Sequence, residues 1–478
     1  MTEKKTDRKK TRKNHELHMV VYIFMGMFVC MLGYFIYYVQ VKAPKVINNS
    51  YNMRQTDLAE KVIRGSVYSD DGQVLAEEAL DSEGKEERYY PYGALFAHVV
   101  GFSTHGKSGL EKTANIELLT SDAPVQERLQ KEMSGIRNTG DNIYTTLNIN
   151  LQKTASDALG NYKGAIIVME PKTGKVLAMV SKPDFDPNTV SENWAEISSD
   201  KDGSPLVNRA TQGLYPPGST FKIVTLLEYM REHPDDYNDY SYNCTGRITE
   251  GDTTIECYHG AVHGRVDLLQ SFAKSCNCSF ANIGLTIDVP KYEDTCDGLL
   301  FGRKLPTDLT YSKSSFSLTS ASDSSEKMQT AMGQGKTLIT PMHMALITCA
   351  IANGGVLMKP YEIEKQENYM GTVVKTYSPE KYKTLMSASE AAAETKFMEE
   401  VISTGTGKRL NGQSYSVAGK TGSAEFGSVK GQSHAWFTGF SNVEDPDISV
   451  TVIIEGAGSG GDYAVPVAKR IFDAYYGI

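Results

Sequence analysis

The sequence predicts an α+β protein with one N-terminal membrane helix. Three observations lead to this fold class. Met19 to Val39 is an uninterrupted stretch without charged residues. Residues 45–140 contain short strand-like runs and no long helical pattern, whereas from Gly140 onward helical patterns flank apolar strand-like runs. Periodicities of both kinds in one chain of this length predict helices and sheets in separate stretches.

The apolar stretch is long enough to cross a bilayer core, since as a helix it measures about 32 Å. A cleaved signal peptide is the alternative, but its apolar region is typically only about 7–15 residues long. Pro44 also follows the cleavage-like Val41-Lys42-Ala43. An uncleaved anchor is therefore favoured. The many Lys and Arg side chains in residues 1–13 predict a cytoplasmic N-terminus and an extracellular remainder.

The chain has 478 residues, a length that suits two folded units and an anchor. Its net charge is −9. Without its basic tail the chain is still more acidic, so nucleic-acid binding is not expected. Topology explains the tail better than a nucleic-acid arm does. The predicted organisation is a cytoplasmic tail at 1–18, a transmembrane helix at 19–39, a small, mostly β pedestal at 40–140 and a larger domain at 141–478.

Several elements of the larger domain follow from local patterns. Residues 147–159 form an amphipathic helical pattern, and 164–169 and 175–180 are predicted strands joined by a Pro-Lys-Thr-Gly turn. Near the C-terminus, strands at 435–440 and 448–454 precede a helix at 465–476.

The chain has seven cysteines. Cys30 lies in the predicted span, which leaves an even number outside it. Cys244 and Cys257 flank a polar, turn-rich stretch and are the favoured disulfide pair, although sequence alone does not fix the pairing.

Ser219 and Lys222 lie three residues apart, directly after Pro216-Pro217-Gly218. The prolines and the glycine end the preceding structure, and 223–230 is a good helix-forming run, so Ser219 is predicted in a first helical turn. Positions i and i+3 share a helix face. The Lys222 amine can then reach the Ser219 hydroxyl and, if its pKa is lowered, take the proton. Taken alone, this spacing also occurs by chance in surface helices.

Two further motifs follow at domain-scale intervals. Ser275-Cys276-Asn277 offers a hydroxyl that can relay a proton and an amide that can hold a substrate amide. Lys420-Thr421-Gly422-Ser423 offers a second cation, which would repel the charged form of Lys222 and so favour its basic form. Taken singly, each motif is better explained structurally, as a solvated Ser-Cys-Asn turn and as a Lys-Thr-Gly turn between strands.

The motif Lys420-Thr421-Gly422-Ser423 also predicts a strand edge that can bind a peptide. Gly422 has no side chain to block a ligand, so an extended peptide could pair with this strand by β-augmentation. The hydroxyls of Thr421 and Ser423 could bind its terminal carboxylate. The backbone N–H groups of Ser219 and Ser423 are candidate oxyanion donors.

All three motifs in this order are the set found in penicillin-interacting serine enzymes. The chain thus resembles the class B penicillin-binding proteins, the monofunctional D,D-transpeptidases that cross-link peptidoglycan. Further stretches resemble this family: Asn52-Met53-Arg54, 64–76, 90–101, Ser108-Gly109-Leu110-Glu111, 171–179, Asn208-Arg209-Ala210, Gly333-Gln334-Gly335 and Thr340-Pro341.

The resemblance implies a transpeptidase domain of the penicillin-binding and serine β-lactamase type at 141–478. Its antiparallel sheet would be covered by terminal helices and interrupted by an all-helical subdomain. The implied substrates are peptidoglycan stem peptides ending in D-Ala-D-Ala, and β-lactams would acylate the enzyme. The implied roles are Ser219 as nucleophile, Lys222 as base, Ser275 as proton relay, Asn277 as substrate-positioning residue, and Lys420, Thr421, Gly422 and Ser423 as the carboxylate-binding strand.

Other functions share parts of this pattern. A β-lactamase or β-lactam sensor would carry the same three motifs, and a D,D-carboxypeptidase would use water as the acceptor. A protein of a different class would act as a structural activator of a SEDS-type glycosyltransferase, the expected partner, through the span and the pedestal.

No cofactor or metal is expected. Gly335-Lys336-Thr337 lacks the earlier glycine of a phosphate loop, since Thr330 stands there, and Arg409 follows Gly405-Thr406-Gly407-Lys408 where such a loop needs Ser or Thr. Cys257, His259 and His263 could be zinc ligands, but no fourth ligand stands at an ordinary spacing. A polar loop over the active site is therefore favoured there.

Overall fold

The computed structural model of the protein describes residues 3–42, 61–80, 86–426 and 432–478. Two compact units are present, Met1–Lys61 and Val62–Ile478. The first unit contains the helix Glu3–Tyr37, which continues as a π-helical turn at Tyr38–Lys42. Its segment Leu17–Tyr37 has a mean hydropathy of 2.2 and is long and apolar enough to cross a membrane. The family-like Asn52-Met53-Arg54 lies outside the described residues.

The second unit contains both helices and strands, as the α+β prediction requires. Its α-helices are Gly109–Thr113, Asn115–Leu119, Val125–Met133, Ile149–Leu159, Val190–Ser199, Arg209–Gln212, Lys222–Glu232, Leu268–Ala273, Asn277–Thr286, Val289–Gly298, Ser324–Ala331, Pro341–Ala352, Ala388–Ser403 and Val465–Tyr476. Its strands are β1 Val62–Ile63, β2 Val67–Tyr68, β3 Val74–Leu80, β4 Glu86–Tyr89, β5 Asn138–Thr139, β6 Asn142–Thr145, β7 Gly164–Met169, β8 Val176–Lys182, β9 Ser241–Cys244, β10 Arg247–Glu250, β11 Thr253–Glu256, β12 Gly264–Asp267, β13 Val356–Met358, β14 Ile363–Glu367, β15 Val373–Thr376, β16 Lys381–Thr384, β17 Val417–Glu425, β18 Ser433–Ser441 and β19 Ile448–Ile454.

A five-stranded antiparallel sheet forms the centre of this unit, in the order β17-β18-β19-β7-β8. Every residue of β7, β18 and β19 is buried, so both faces of the sheet are covered. The fully buried helix Pro341–Ala352 packs on β18, β19 and β7, while Ile149–Leu159 and Val465–Tyr476 pack on each other and on the sheet. The predicted strands and terminal helices are therefore confirmed.

The segment between β8 and β17 has more residues in helices than in strands, and it also contains short two-stranded sheets. In this segment β9 pairs with β12, and β10 pairs with β11. The all-helical subdomain that the family resemblance implied is therefore not purely helical.

A six-stranded sheet joins distant parts of the chain, in the order β15-β14-β6-β2-β3-β4. Strands β2, β3 and β4 come from the N-terminal part of this unit, whereas β14 and β15 come from 363–376. Strand β14 pairs with β6, and β15 pairs with β14. The later part of the chain therefore completes the sheet that the N-terminal part begins.

A buried ionic cluster lies beside this sheet. Glu111 is fully buried and accepts hydrogen bonds from Arg64 Nε at 2.6 Å and Arg88 Nε at 2.7 Å. Arg64 also donates to Asn115 Oδ1 at 2.7 Å, and Arg88 donates to the carbonyl of Gly65 at 2.8 Å. These bonds give Arg64, Gly65 and Glu111, which lie in the family-like stretches, a structural role in holding this cluster together.

Candidate active site

The turn that carries Ser219 is held against the edge of the five-stranded sheet. It is a 3-10 turn, Gly218–Phe221, that leads into the helix Lys222–Glu232. Gly218 has a φ of +55°, and a Cβ there would lie 3.0 Å from the backbone of Ser423. Its N–H donates to the carbonyl of Gly333 at 2.9 Å. Only glycine fits this approach without strain, so Gly218 fixes where the serine stands.

Lys222 is fully buried. The sequence predicted that its amine reaches the Ser219 hydroxyl, but among the described residues its hydrogen bonds go to other partners. Its Nζ donates to Asn277 Oδ1 at 2.8 Å, to the Ser275 carbonyl at 2.8 Å and to Ser275 Oγ at 3.3 Å. Among the described residues, the Ser219 hydroxyl makes no hydrogen bond. The i,i+3 argument set the two residues on one face but did not account for these closer partners.

Burial lowers the pKa of Lys222 to about 8, because a charged amine is costly to place away from water. Among the described residues, no carboxylate lies within ion-pair distance of it. The sequence predicted that repulsion from Lys420 would lower this pKa. In the structure burial is the main cause, and it also lowers the pKa of Lys420, with the charge of Lys222 as a second cause.

Ser275 lies between the two lysine amines. Its Oγ is 3.3 Å from Lys222 Nζ and accepts a hydrogen bond from Lys420 Nζ at 3.0 Å. Its backbone φ of +55° is a left-handed conformation that is uncommon for a residue other than glycine. The hydroxyl is thus placed to pass a proton between these amines and the cavity.

Asn277 is fixed from both ends of its amide. Its Oδ1 accepts from Lys222, and its Nδ2 donates to the Glu256 carbonyl at 3.1 Å. Asn277 begins the helix Asn277–Thr286, and the preceding Cys276 caps that helix by accepting from Ser279 N–H. The three side chains of this motif therefore have different contacts. Ser275 lines the cavity, Cys276 caps the helix, and Asn277 binds Lys222.

Lys420-Thr421-Gly422-Ser423 lies on β17, which is an edge strand as predicted. A Cβ on Gly422 would stand 3.2 Å from Thr220 N and 3.2 Å from Trp436 Cβ, so the glycine lets the strand pack against the serine turn. An edge strand keeps unpaired backbone groups that an extended peptide can use.

A cavity of about 370 Å³ opens at this point. Six of the eight predicted site residues line it: Ser219, Ser275, Asn277, Thr421, Gly422 and Ser423. The other two, Lys222 and Lys420, are fully buried and reach the cavity through Ser275. The structure therefore brings all eight residues together.

Other lining residues were not predicted as site residues. They include Tyr258, His263, Gln334, Thr406 and Lys408. The loop 257–263 does border the cavity, as expected. The Thr406 hydroxyl lies 2.5 Å from the Thr421 hydroxyl, and a Cβ on the preceding Gly405 would meet the Ala273 carbonyl at 2.2 Å. This glycine-rich segment thus serves close packing beside the site.

The predicted disulfide between Cys244 and Cys257 is wrong in this structure. Both thiols are free, and their Sγ atoms lie 3.7 Å apart. They belong to a cluster of buried cysteines from several segments of the chain, which is why a pairing based on local sequence failed.

Two family descriptions match the chain. "Penicillin binding protein transpeptidase domain" matches residues 164–473, and "Penicillin binding protein A dimerisation domain" matches residues 64–143. The peptidoglycan D,D-transpeptidase PbpA of Mycolicibacterium smegmatis is 31% identical over 433 residues, which cover 84% of this chain and 87% of the relative. MrdA of Acinetobacter baumannii, also named a peptidoglycan D,D-transpeptidase, is 27% identical over 82% of this chain and 66% of its own length.

Solved structures of similar proteins have the same fold. Penicillin-binding protein A of M. tuberculosis, solved as a penicillin G acyl-enzyme complex, superposes with a TM-score of 0.78 at 28% identity, over 87% of this chain and 100% of that one. The D,D-transpeptidase domain of a peptidoglycan glycosyltransferase from Eggerthella lenta gives 0.77 at 30% identity, over 87% and 99%. Since one family description alone spans more than half of the residues, the chain belongs to the class B penicillin-binding proteins.

Proposed function

We propose that this protein is a peptidoglycan D,D-transpeptidase that acts through an acyl-enzyme on Ser219. One observation carries the proposal: Ser219 faces the cavity while two fully buried lysines hold the Ser275 hydroxyl between them. Two relatives are named peptidoglycan D,D-transpeptidases, and the match to one of them, PbpA, covers 84% of this chain and 87% of the relative. A similar solved structure is a penicillin acyl-enzyme.

The first step forms an ester. Ser219 Oγ attacks the carbonyl carbon of the terminal D-Ala-D-Ala bond, and neutral Lys222 takes the hydroxyl proton. A base works best when its pKa is near the working pH, and burial brings the pKa of Lys222 to about 8. The C–N bond then breaks, and Ser275 passes a proton from the lysines to the leaving D-Ala amine.

The second step transfers the acyl group. An amine of a neighbouring stem peptide attacks the ester and gives up a proton along the same path, and Ser219 is released as a hydroxyl. In the first step, before the C–N bond breaks, the donor peptide pairs along β17, with the carboxylate of its terminal D-Ala at Thr421 and Ser423 and its amide at Asn277. The N–H groups of Ser219 and Ser423 would stabilise the negative oxygen.

The helix Leu17–Tyr37 fits a single membrane anchor. With the basic tail inside, the cavity would be outside the cell, where peptidoglycan lies. Pairing with a SEDS-type glycosyltransferase and with other cell-wall synthesis proteins stays a prediction from the family resemblance.

The nucleophile is tested by labelling the full-length protein with a fluorescent penicillin. Wild type should give a covalent band, and Ser219→Ala should give none. Ser459→Ala is a matched control, because this second serine lines the same cavity but has no proposed role, so its labelling should persist. Persistent labelling of Ser219→Ala would refute the nucleophile.

The acceptor is tested with a stem peptide ending in D-Ala-D-Ala and an added amine. A transpeptidase forms the new amide and releases D-Ala, whereas a carboxypeptidase yields only the hydrolysed peptide. A β-lactamase would instead turn over penicillin quickly and lose its label. Either of these last two results would contradict transpeptidation.

A further inference from the structure

A row of exposed tyrosines leads away from the cavity. Tyr258, Tyr463 and Tyr162 are 51%, 41% and 48% exposed. Tyr258 lines the cavity, as does Asp462, the residue directly before Tyr463. Burial and the charge of Asp462 raise the pKa of Tyr258, so this hydroxyl lies near that carboxylate. The rings of Tyr463 and Tyr162 pack edge to face, with centroids 6.2 Å apart. These three tyrosines are called the tyrosine row below.

The tyrosine row is assembled from three distant segments. Tyr258 comes from the loop before β12, Tyr463 from the turn after β19, and Tyr162 from the loop before β7. A single exposed aromatic side chain is ordinary on a protein surface. Three that converge beside a cavity form a surface with flat apolar faces and polar hydroxyl edges. Such a surface suits a ligand that has both kinds of face.

A fixed pair of polar side chains lies beside these rings. Arg409 Nη2 donates to Asp462 Oδ1 at 2.8 Å, and Arg409 Nη1 donates to the Asp462 carbonyl at 3.1 Å. Both residues line the cavity, and both side chains are more than half exposed. The pair therefore still presents donor and acceptor edges to a ligand. Rings and pair together fit a sugar, whose C–H face packs on an aromatic ring while its hydroxyl and acetamido groups form hydrogen bonds.

The tyrosine row starts on the side of the cavity where the leaving D-Ala stands. The proposed function places the carboxylate of this D-Ala at Thr421 and Ser423. The Gly460 N–H donates to Ser423 Oγ at 3.3 Å, and Gly460 begins the turn that contains Tyr463. The attacking amine has to take the place of D-Ala, so the strand that carries this amine approaches from the side of Tyr463.

We propose that the tyrosine row binds the glycan of the acceptor strand, with an N-acetylated amino sugar stacked on Tyr463 and hydrogen-bonded to Arg409 and Asp462. This assignment rests on the proposed function, because it concerns the second substrate of the same reaction. The sugar takes no part in the bond changes. The acceptor amine forms the new amide, the ester bond to Ser219 breaks, and the proton follows the path described above.

Sugar binding would favour amide formation over hydrolysis. The sugar and the stem peptide of the acceptor are covalently joined, so binding of the sugar raises the effective concentration of the amine at the ester. Water, the competing acceptor, gains no such advantage. The tyrosine row therefore acts on the choice of acceptor and not on the formation of the acyl-enzyme.

The test compares two acceptors that carry the same amine. One is a stem tetrapeptide, which lacks the D-Ala-D-Ala bond and cannot act as a donor, and the other is this tetrapeptide joined to its disaccharide. The full-length protein receives a donor pentapeptide ending in D-Ala-D-Ala, and chromatography separates the new amide from the hydrolysed donor. For wild type, the disaccharide should lower the acceptor concentration that gives half-maximal amide formation by about tenfold.

Variants of Tyr463 show whether the ring is responsible. Tyr463→Ala should remove the advantage of the disaccharide and leave the half-maximal concentration of the bare tetrapeptide unchanged. Tyr463→Phe keeps the flat ring and should retain most of the advantage. Tyr382→Ala is the matched control, because Tyr382 is 44% exposed, lies on β16 and does not line the cavity. This control should behave as wild type with both acceptors.

Two further measurements separate this proposal from the proposed function. Penicillin should label Tyr463→Ala at the wild-type rate, because the proposed acylating groups do not include Tyr463. Calorimetry with Ser219→Ala, in a detergent without sugar groups, measures binding of the disaccharide-linked tetrapeptide when no chemistry occurs. Adding Tyr463→Ala to this variant should weaken the binding by about tenfold.

Loss of penicillin labelling in wild type would refute the proposed function, and the calorimetry would still decide sugar binding. Three results would overturn the sugar proposal. They are equal half-maximal concentrations of the two acceptors for wild type, an equal loss of both acceptors in Tyr463→Ala, and an advantage of the disaccharide that appears only when it is attached to the donor.

Discussion

The ionic cluster beside the N-terminal sheet and the catalytic cavity both bury two cations, but they treat the charge differently. In the cluster, Arg64 and Arg88 share the carboxylate of Glu111. In the cavity, no carboxylate within the described residues pairs with Lys222 or Lys420, and both donate only to neutral oxygens.

The consequence is seen in the pKa values. Burial alone would raise the pKa of Glu111, yet the two guanidinium groups outweigh it and bring the value below its usual range. Burial of Lys222 has no such opposition from a carboxylate, so its pKa falls to about 8. A paired buried charge is fixed and structural, whereas an unpaired buried amine becomes a usable base.

The largest expected effect is on the rate of acylation at the catalytic cavity. Lys222→Met removes the base, so acylation of Ser219 by penicillin should fall by about 10²- to 10⁴-fold. The free energy of unfolding should change by only about 1 kcal/mol, because relief from burying an amine offsets the acceptors left without a donor. Stopped-flow labelling and urea unfolding measure the two quantities.

Lys274→Met is the control for Lys222→Met. Lys274 is exposed and lines the same cavity, so its loss should change acylation far less. Equal losses in the two variants would mean that general positive charge at the cavity, and not a buried base, drives acylation.

The opposite behaviour is expected in the ionic cluster. Glu111→Gln leaves the buried Arg64 without its counter-charge and Arg88 with only the longer 3.8 Å pair to Glu78, which should lower the free energy of unfolding by about 3–5 kcal/mol. Where the variant is still folded, its rate of labelling by penicillin should stay near that of wild type. Urea unfolding at a temperature below the transition measures the loss.

The matched control for Glu111→Gln is Glu364→Gln. Glu364 pairs with Lys175 at 2.7 Å near the surface, where an ion pair contributes only about 0–1 kcal/mol. If both substitutions cost the same, burial of the Glu111 cluster would not set its strength.

Features that depend on a few neighbouring residues could be predicted from the sequence. The strands 164–169 and 448–454 and the edge position of Lys420-Thr421-Gly422 follow from local apolar patterns and turn residues. The order of the three motifs along the chain, which matches the family pattern, also predicted that they meet, and the structure places residues of all three around one cavity.

Features that depend on distant segments could not be predicted. Arg88 stands directly after the acidic Glu86 and Glu87, and nothing in that stretch distinguishes a buried partner of Glu111 from a surface charge. The pairing of β14 with β6 and the bonds from Lys222 to Asn277 join residues far apart in the chain. Such contacts are set by packing, which periodicity does not encode.

Glu362 is the reverse of the lysine case, a buried carboxyl with no cation bound to it. It is 7% exposed, and its Oε1 has no hydrogen-bond partner among the described residues. Burial raises its pKa to about 7. The charge of Asp308 adds to the rise, whereas a backbone hydrogen bond and the charge of Lys359 oppose it. This carboxyl should therefore titrate near neutral pH, because it is buried without a cation bound to it.

The sign of the effect on stability follows from this raised pKa. Between its unfolded pKa of about 4.5 and about 7, the folded protein binds the proton more tightly, so stability falls as pH rises through this window. Glu362→Gln removes the effect. Relative to wild type, the variant should gain about 2 kcal/mol between about pH 5 and pH 8. Urea unfolding at both pH values measures the difference, and parallel curves for wild type and Glu362→Gln would show that this carboxyl stays charged on folding.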